Sequence, residues 1–171
     1  QLREINIKPK SIFLEPFGRN TAPAIAIAAI KALEKDDDPT LLVLPADHEI
    51  KNRNNFLKAI STGCKYANKN RLVLFGIVPT HPETGYGYIK ASEESFSIDG
   101  DGLCIDKFIE KPDKELAKKL IKDKNFTWNS GIFLFKSSFI LKELKKHCPK
   151  IVEICKKAVE NKLLDLDFQR L

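Results

Sequence analysis

Apolar runs alternate with segments of helical periodicity along the first half of the chain. The runs at 12–14, 41–44 and 71–77 are typical of buried strands. Residues 21–33 between the first two runs predict a helix that is apolar on all sides and therefore buried. Residues 54–68 predict a second helix with an apolar stripe. This alternation favours right-handed βαβ units, and hence an α/β fold with a mixed, mainly parallel sheet flanked by helices.

The hydrophobic pattern changes after residue 78 to strands separated by turns. Residues 85–90 predict a loop that enters a strand, 100–102 a turn and 103–109 a further strand, which favours an antiparallel extension of the sheet. Asp113 is expected to cap a helix, and 128–135 to form a strand. Two lysine-rich helices separated by Pro149 follow. We interpret residues 1–171 as one α/β domain.

Composition narrows the class of protein. The chain has 171 residues, 43% of them hydrophobic, and its longest apolar stretch is far shorter than the ~20 residues of a membrane-spanning helix. The net charge of +6 is spread over predicted helix faces without interleaved aromatic residues, so we expect no nucleic-acid partner and no membrane. A basic surface still suits an anionic substrate. Four cysteines without a CxxC pair favour buried free thiols in a reducing compartment, so we expect a cytoplasmic protein.

Two segments at predicted element ends carry candidate binding chemistry. Residues 19–23 lie at a helix N-terminus, where unpaired backbone N–H groups favour anions; alternatively, Thr21 is only a cap and Arg19 a surface charge. Asp47 follows a buried strand, at the sheet edge where ligands of α/β proteins bind, and its carboxylate suits magnesium. The alternative is that Asp47 only caps a turn. His48 is interpreted as a local hydrogen-bonding partner rather than a zinc ligand.

Three further segments could contact a small polar ligand. The glycines at 85 and 87 permit a close backbone approach, although a simple turn explains them equally. Glu110 can accept hydrogen bonds from hydroxyl groups and Lys111 can neutralise a phosphate, unless the two form only a surface ion pair. Asn129 offers an amide beside a glycine, unless the segment only buries Trp128.

Together these five segments match one protein family in order and in identity. They are EPFGRNTAPAI at 15–25, LPADH at 44–48, GYGYI at 85–89, FIEKP at 108–112 and WNSGIF at 128–133. The chain resembles the bacterial mannose-1-phosphate guanylyltransferases of the sugar-nucleotide pyrophosphorylase superfamily over about residues 12–158. The resemblance implies a Rossmann-like nucleotide-diphospho-sugar transferase fold.

The resemblance also implies a reaction and a set of roles. GTP and α-D-mannose 1-phosphate would be the substrates, GDP-mannose and diphosphate the products, and Mg²⁺ the cofactor; the product would feed polysaccharide synthesis. Asp47, as metal ligand, and Lys111 would be the catalytic residues, and Gly87, Glu110 and Asn129 would bind the sugar. The predicted nucleotide-binding residues are Glu15, Pro16, Arg19, Asn20, Thr21 and Pro23.

The chain departs from the family pattern at its ends. It begins at Gln1 and contains no methionine, so we interpret it as an internal piece of a longer protein, truncated at both ends. The glycine-rich phosphate loop of the family does not precede Gln1, and its second metal-binding aspartate is not identifiable before Leu171. We therefore expect the isolated piece to lack the first strand and to have little or no transferase activity. A truncated sheet edge is compatible with a homo-oligomer.

Two other functions stay open on the sequence. A pyrophosphorylase for another nucleotide or sugar would keep Asp47, Glu110 and Lys111 but differ at residues 19–23 and 128–131. A non-catalytic sugar-nucleotide-binding module would keep the fold without turnover. Comparing GTP with ATP, UTP, CTP and dTTP distinguishes the first alternative from a guanylyltransferase. Comparing the parent protein with Asp47→Ala, with and without magnesium, distinguishes the second: an enzyme loses metal-dependent turnover, whereas a binding module has none to lose.

Overall fold

The computed structural model describes residues 4–34, 37–92 and 102–171 of the chain. Within these residues it has five helices and eight strands, which confirms the predicted α/β class. The helices are α1 (Thr21–Leu33), α2 (Arg53–Ala67), α3 (Lys114–Leu120), α4 (Ser137–His147) and α5 (Pro149–Glu160). The strands are β1 (Ile12–Leu14), β2 (Thr40–Val43), β3 (Val73–Ile77), β4 (Tyr88–Ala91), β5 (Ile105–Ile109), β6 (Phe126–Lys136), β7 (Leu163–Asp165) and β8 (Phe168–Arg170). The turn predicted at 100–102 lies largely outside the described residues.

The chain divides into two compact units. One, here called the terminal unit, contains Gln1–Pro39 and Ser137–Leu171; the other, the central unit, contains Thr40–Lys136. The prediction of a single domain over 1–171 stays a prediction. Each unit has its own sheet, and each is described below by itself.

The terminal unit packs three helices beside a three-stranded sheet. Strand β8 lies between β1, which runs parallel to it, and β7, which runs antiparallel. Ala26 and Ile27 of α1 pack with Cys155 and Val159 of α5 in the core. The expectation that α1 is buried on all sides is wrong, because Ala28 on its other side is exposed. Alanine is a strong helix former whose small side chain tolerates water, so an apolar face need not be covered.

The central unit is built around the long strand β6. Leu134 of β6 pairs with Leu42 of β2 and with Val73 of β3, so β6 lies between these two strands. Strand β4 pairs with the beginning of β6 and with β5, and all these pairings are antiparallel. The prediction of a mainly parallel sheet is therefore wrong among the described strands, because β2 and β3 each pair with β6 and not with each other. Both strands run in the same direction, but the sequence does not reveal that β6 enters between them.

Side chains alternate between the two faces of β6 in the way that a strand requires. Phe126, Trp128, Ser130, Ile132 and Leu134 are buried and the residues between them are less buried; the alternation ends at Phe135, which is also buried. Helix α2 packs closely over this strand, since a Cβ added at Gly63 would lie 2.9 Å from Leu134 Cδ2. Strand β6 is thus fixed in the core of the central unit, and it carries the Trp128 to Gly131 segment with it.

We expect Leu134→Ala to destabilise the protein by about 3 kcal/mol, because the side chain is only 2% exposed and its removal leaves a cavity. The matched control is Leu164→Ala, also in a strand but 77% exposed. The control should change the free energy of unfolding by less than about 0.5 kcal/mol. Urea denaturation followed by circular dichroism measures both variants, and equal losses would contradict the assignment of Leu134 to the core.

The four cysteines are free thiols, as predicted. Only Cys155 is buried; Cys148 is exposed and the other two are half-buried, so the expectation of four buried thiols is wrong. Burial raises the pKa of the Cys155 thiol, with a smaller contribution from the negative charge of Glu15. In the described part of the chain no helix combines the length and apolar character needed to cross a membrane.

Candidate active site

The central unit contains a cleft of about 450 Å³, within the range of small-molecule sites. Its walls come from the segment after β2, the end of β3, the loop before β4, the residue after β5 and the middle of β6. The lining residues are Pro45, His48, Ile77, Gly85, Tyr86, Gly87, Glu110, Trp128, Asn129, Ser130 and Gly131. Four of the five segments singled out in the sequence therefore contribute to one cleft.

The three residues predicted to bind the sugar lie together in this cleft. The backbone N–H of Asn129 donates to the carbonyl of Gly87 at 2.8 Å, which joins β6 to the loop before β4. Gly87 is buried, and a Cβ added there would lie 2.9 Å from Glu110 Oε2. Glycine at this position thus lets the Glu110 carboxylate approach the backbone closely. The binding roles of these residues stay predictions.

Gly131 fixes the opposite end of the Trp128 to Gly131 segment. Its φ of 71° lies in the left-handed region that favours glycine. A Cβ there would also approach Pro45 Cγ at 3.3 Å. The N–H of Gly131 donates to the Asn129 side-chain oxygen at 3.3 Å, so that oxygen is already engaged within the chain. The backbone conformation at Gly131 therefore helps to orient the amide that the sequence predicted as a ligand group.

Trp128 forms an aromatic cluster with two other rings beside the cleft. The His81 ring packs edge-on against it with centroids 5.0 Å apart, and the Tyr86 ring does so at 5.4 Å. Trp128 is only 8% exposed, and its indole Nε1 has no hydrogen-bond partner among the described residues. Trp128 is thus a buried core residue that also lines the cleft, so the segment does more than bury this ring.

Glu83 is a residue of this region that the sequence interpretation missed. Its Oε1 accepts the backbone N–H groups of Thr84 at 2.8 Å and Gly85 at 2.9 Å, and its Oε2 lies 3.4 Å from His81 Nε2. The N–H group of Gly85, then that of Thr84, and then His81 lower the pKa of the Glu83 carboxyl. An acid directly before a Thr-Gly pair in a loop is the signal that would have found it.

The two residues predicted to be catalytic lie outside the cleft lining. Lys111 has a φ of 42°, and its Nζ lies 3.8 Å from Glu110 Oε1, with both side chains mostly exposed. The two side chains thus form an exposed ion pair, while Glu110 also lines the cleft, and the proposed roles of both residues stay predictions. The Asp47 side chain is 88% exposed, and its carboxylate lies 4.0 Å from Nε2 of His48, which does line the cleft. At that distance the two side chains are neighbours without a hydrogen bond between them.

A single exposed carboxylate at Asp47 is a donor set that fits magnesium. Among the described residues no three His, Cys, Asp or Glu side chains cluster to hold a metal ion. Magnesium commonly takes only one or two protein carboxylates and completes its octahedral shell with water and substrate phosphates. The exposed Asp47 oxygens leave room for such a shell.

The residues predicted to bind the nucleotide lie in the terminal unit, around the beginning of α1. Asn20, and not Thr21, is the N-cap residue, and its φ of 64° is unusual for a residue other than glycine. The first turn carries no acidic side chain, and within the described chain the Asn20 side chain makes no cap hydrogen bond. Arg19 lies over the exposed Phe17 ring, 6.0 Å from its centroid. This N-terminus can attract an anion through its backbone N–H groups.

The remaining predicted nucleotide residues share this neighbourhood. Pro23 lies in the first turn of α1, as expected, where its missing N–H costs no hydrogen bond. Glu15 and Pro16 follow β1 directly. Their proposed contacts with a nucleotide stay predictions.

Comparison with known proteins gives the class of protein. The nucleotidyl transferase family model matches residues 2–171, and the chain belongs to this family. The chain is 50% identical over 173 residues to mannose-1-phosphate guanylyltransferase RfbM of Salmonella typhimurium. It is 46% identical over 171 residues to the xanthan biosynthesis protein XanB of Xanthomonas campestris. Each comparison covers 100% of this chain but only 36% of the relative's length.

Two solved structures share the fold. The mannose-6-phosphate isomerase structure from Helicobacter pylori matches with a TM-score of 0.80 and 36% identity over 99% of this chain and 64% of that protein. The mannose-1-phosphate geranyltransferase structure from Thermus thermophilus matches with a TM-score of 0.76 and 32% identity over 86% of this chain and 42% of that protein. The predicted α/β fold and the family resemblance are therefore confirmed, although the sheet is not mainly parallel.

Proposed function

We propose that the protein carrying this sequence is a mannose-1-phosphate guanylyltransferase, which converts GTP and α-D-mannose 1-phosphate to GDP-mannose and diphosphate. The observation that carries the proposal is the meeting of Gly87, Glu110 and Asn129 in one cleft of about 450 Å³. Relatives named mannose-1-phosphate guanylyltransferase, 46–50% identical to the chain, support the same assignment.

In the proposed mechanism the cleft binds the sugar through polar groups on a rigid sheet. The Glu110 carboxylate accepts hydrogen bonds from neighbouring hydroxyl groups, and Asn129 adds an amide contact from β6. The absence of a side chain at Gly87 lets the sugar approach the backbone. Lys111, which follows Glu110 directly, supplies a positive charge for the sugar phosphate.

The chemical step needs no covalent enzyme intermediate. A phosphate oxygen of the sugar 1-phosphate attacks the α-phosphorus of GTP in line, a new P–O bond forms, and the bond to the diphosphate leaving group breaks. The residues of the chain act by positioning the two anionic substrates and by neutralising charge. Magnesium held by Asp47 would supply further charge neutralisation on the phosphate oxygens. The α1 N-terminus with Arg19 would bind the nucleotide.

A comparison of reaction rates with different nucleotides tests this function. We expect diphosphate release from mannose 1-phosphate to be at least about 100-fold faster with GTP than with ATP, UTP, CTP or dTTP, since a site that hydrogen-bonds one base leaves its groups unpaired with another. The complete purified protein is the right sample, because the chain spans 36% of the length of the relatives it matches. Preference for another nucleotide would favour the related pyrophosphorylase. Binding of GDP-mannose without any turnover would favour the non-catalytic module.

We further propose a cytoplasmic location and a role in supplying GDP-mannose for polysaccharide synthesis. The free thiols support the location. The names of two relatives, the xanthan biosynthesis protein XanB and the alginate biosynthesis protein AlgA, support the pathway. The expectation of a homo-oligomer stays a prediction.

A further inference from the structure

Glu83 holds both ends of the loop formed by residues 83–88. Its side chain accepts the N–H groups of Thr84 and Gly85 at 2.8 and 2.9 Å. Its backbone carbonyl accepts the hydroxyl of Tyr88 at 2.8 Å, and Tyr88 is fully buried at 0% exposure. One residue thus ties the loop to its own first turn and to the first residue of β4.

The loop that Glu83 ties forms one wall of the cleft. Gly85, Tyr86 and Gly87 line the cleft, whereas Glu83 itself does not. The Tyr86 ring contacts Trp128, and the Gly87 carbonyl accepts the N–H of Asn129. Any movement of the loop would therefore displace cleft groups on both the loop and β6.

The Glu83 carboxylate makes strong hydrogen bonds to the loop. A carboxylate that accepts two backbone N–H groups makes charge-assisted hydrogen bonds, which are roughly twice as strong as neutral ones. His81 adds a third polar contact at 3.4 Å and also packs on Trp128, so it links the carboxylate to the aromatic cluster. The side chain of Glu83 is 34% exposed, so it makes these contacts at the surface without entering the core.

We propose that Glu83 is a positioning residue for the sugar-phosphate end of the site, which holds the wall at Gly85 to Gly87 in register with Glu110 and Asn129. The proposal rests on the proposed function. Glu83 touches no substrate in this scheme; it acts through the backbone of the loop. Displacement of a binding wall by about 1 Å can cost a large factor in turnover, which makes such an anchor effective.

Steady-state kinetics of the complete protein test the proposal. We expect Glu83→Ala to raise the KM for mannose 1-phosphate about tenfold, because the variant loses the charge-assisted hydrogen bonds that hold the loop. The KM for GTP should stay within about twofold of the parent value. Glu83→Gln should recover part of this loss, because its amide oxygen still accepts the two N–H groups. The matched control is Glu115→Ala, an exposed glutamate of the same unit that pairs with Lys118 at 2.8 Å and does not line the cleft.

Hydrogen exchange supplies a readout that does not depend on turnover. In Glu83→Ala the amides of residues 84–88 should exchange about tenfold faster, while those of residues 132–136 in β6 keep their rates. Faster exchange throughout the central unit, or equal rises of both KM values, would show a general structural role and overturn the proposal. An active parent protein with unchanged sugar-phosphate KM in Glu83→Ala would also overturn it. A parent protein that makes no GDP-mannose would instead count against the proposed function.

Discussion

Replacement of Asp47 by asparagine is expected to lower the rate of GDP-mannose formation by about 1000-fold or more. Asparagine keeps the shape of the side chain but removes the charge that is proposed to bind magnesium. A metal ion contributes several kcal/mol to stabilisation of charge on phosphate oxygens, and each 1.36 kcal/mol is about tenfold in rate. The side chain is 88% exposed, so the fold should not depend on it. Initial rates of diphosphate release over a range of magnesium concentrations measure the effect.

Glu49→Gln is the matched control for Asp47→Asn. It removes an exposed carboxylate two residues farther along the same segment, and its rate should stay within about twofold of the parent. Both variants should unfold at the same temperature as the parent protein. Retention of full activity in Asp47→Asn would show that this carboxylate holds no metal, and the proposed role of Asp47 would be lost.

Local signals in the sequence predicted element positions well. Helix α1 ends at Leu33 as predicted, although it begins at Thr21, the residue predicted to cap it. Asp113 caps α3 through its side chain, which accepts the N–H of Leu116 at 2.8 Å. Pro149 begins α5, as a residue without an N–H group should. Capping residues and prolines act on their nearest neighbours, so a sequence displays their effect directly.

It was harder to predict which strands pair with each other in the sheet. Whether β2 pairs with β3 or with β6 depends on contacts between residues far apart in sequence, and a run such as Thr40–Val43 fits either neighbour. The hairpin of β7 and β8 was missed because strands of three residues are too short to show a period of two. The common direction of β2 and β3 was thus predictable, whereas the order of the strands in the sheet was not.

In the candidate site, too, the residue types could be predicted from the sequence, whereas contacts that depend on the folded backbone could not. Gly87, Glu110 and Asn129 stand out because motifs preserve residue type, and the structure brings them to one cleft. Glu83 did not stand out, because its importance lies in the direction of two backbone N–H groups that only the folded loop presents. Side-chain to backbone contacts of this kind leave little trace in residue patterns.

Replacement of Gly87 by alanine is expected to lower kcat/KM for mannose 1-phosphate about 100-fold. The added Cβ would lie 2.8 Å from Phe108 Cζ and 2.9 Å from Glu110 Oε2, closer than real Cβ contacts. Either the loop or the Glu110 carboxylate must move, and a shift of about 1 Å at a binding group can cost this factor. The KM for GTP should stay within about twofold. Steady-state kinetics with each substrate varied in turn measure the result.

Gly85→Ala is the matched control, because it adds the same methyl group to the same loop. The nearest atom there is Glu83 Oε1 at 3.4 Å, an ordinary van der Waals contact, so kcat/KM should fall by no more than about threefold. Similar losses in the two variants would mean that the loop tolerates no change at all, and the specific approach of Gly87 to Glu110 would not explain the effect.

A double variant identifies which neighbour of Gly87 matters. Phe108 is 46% exposed, so its truncation to alanine removes one of the two close contacts without opening the core. If displacement of the Phe108 ring causes the loss, Gly87→Ala with Phe108→Ala should regain most of the activity. If displacement of the Glu110 carboxylate causes it, the double variant should stay as slow as Gly87→Ala alone. The explanation of the loss in Gly87→Ala by displacement of Glu110 requires the second result, since of these two neighbours only Glu110 is proposed to bind substrate.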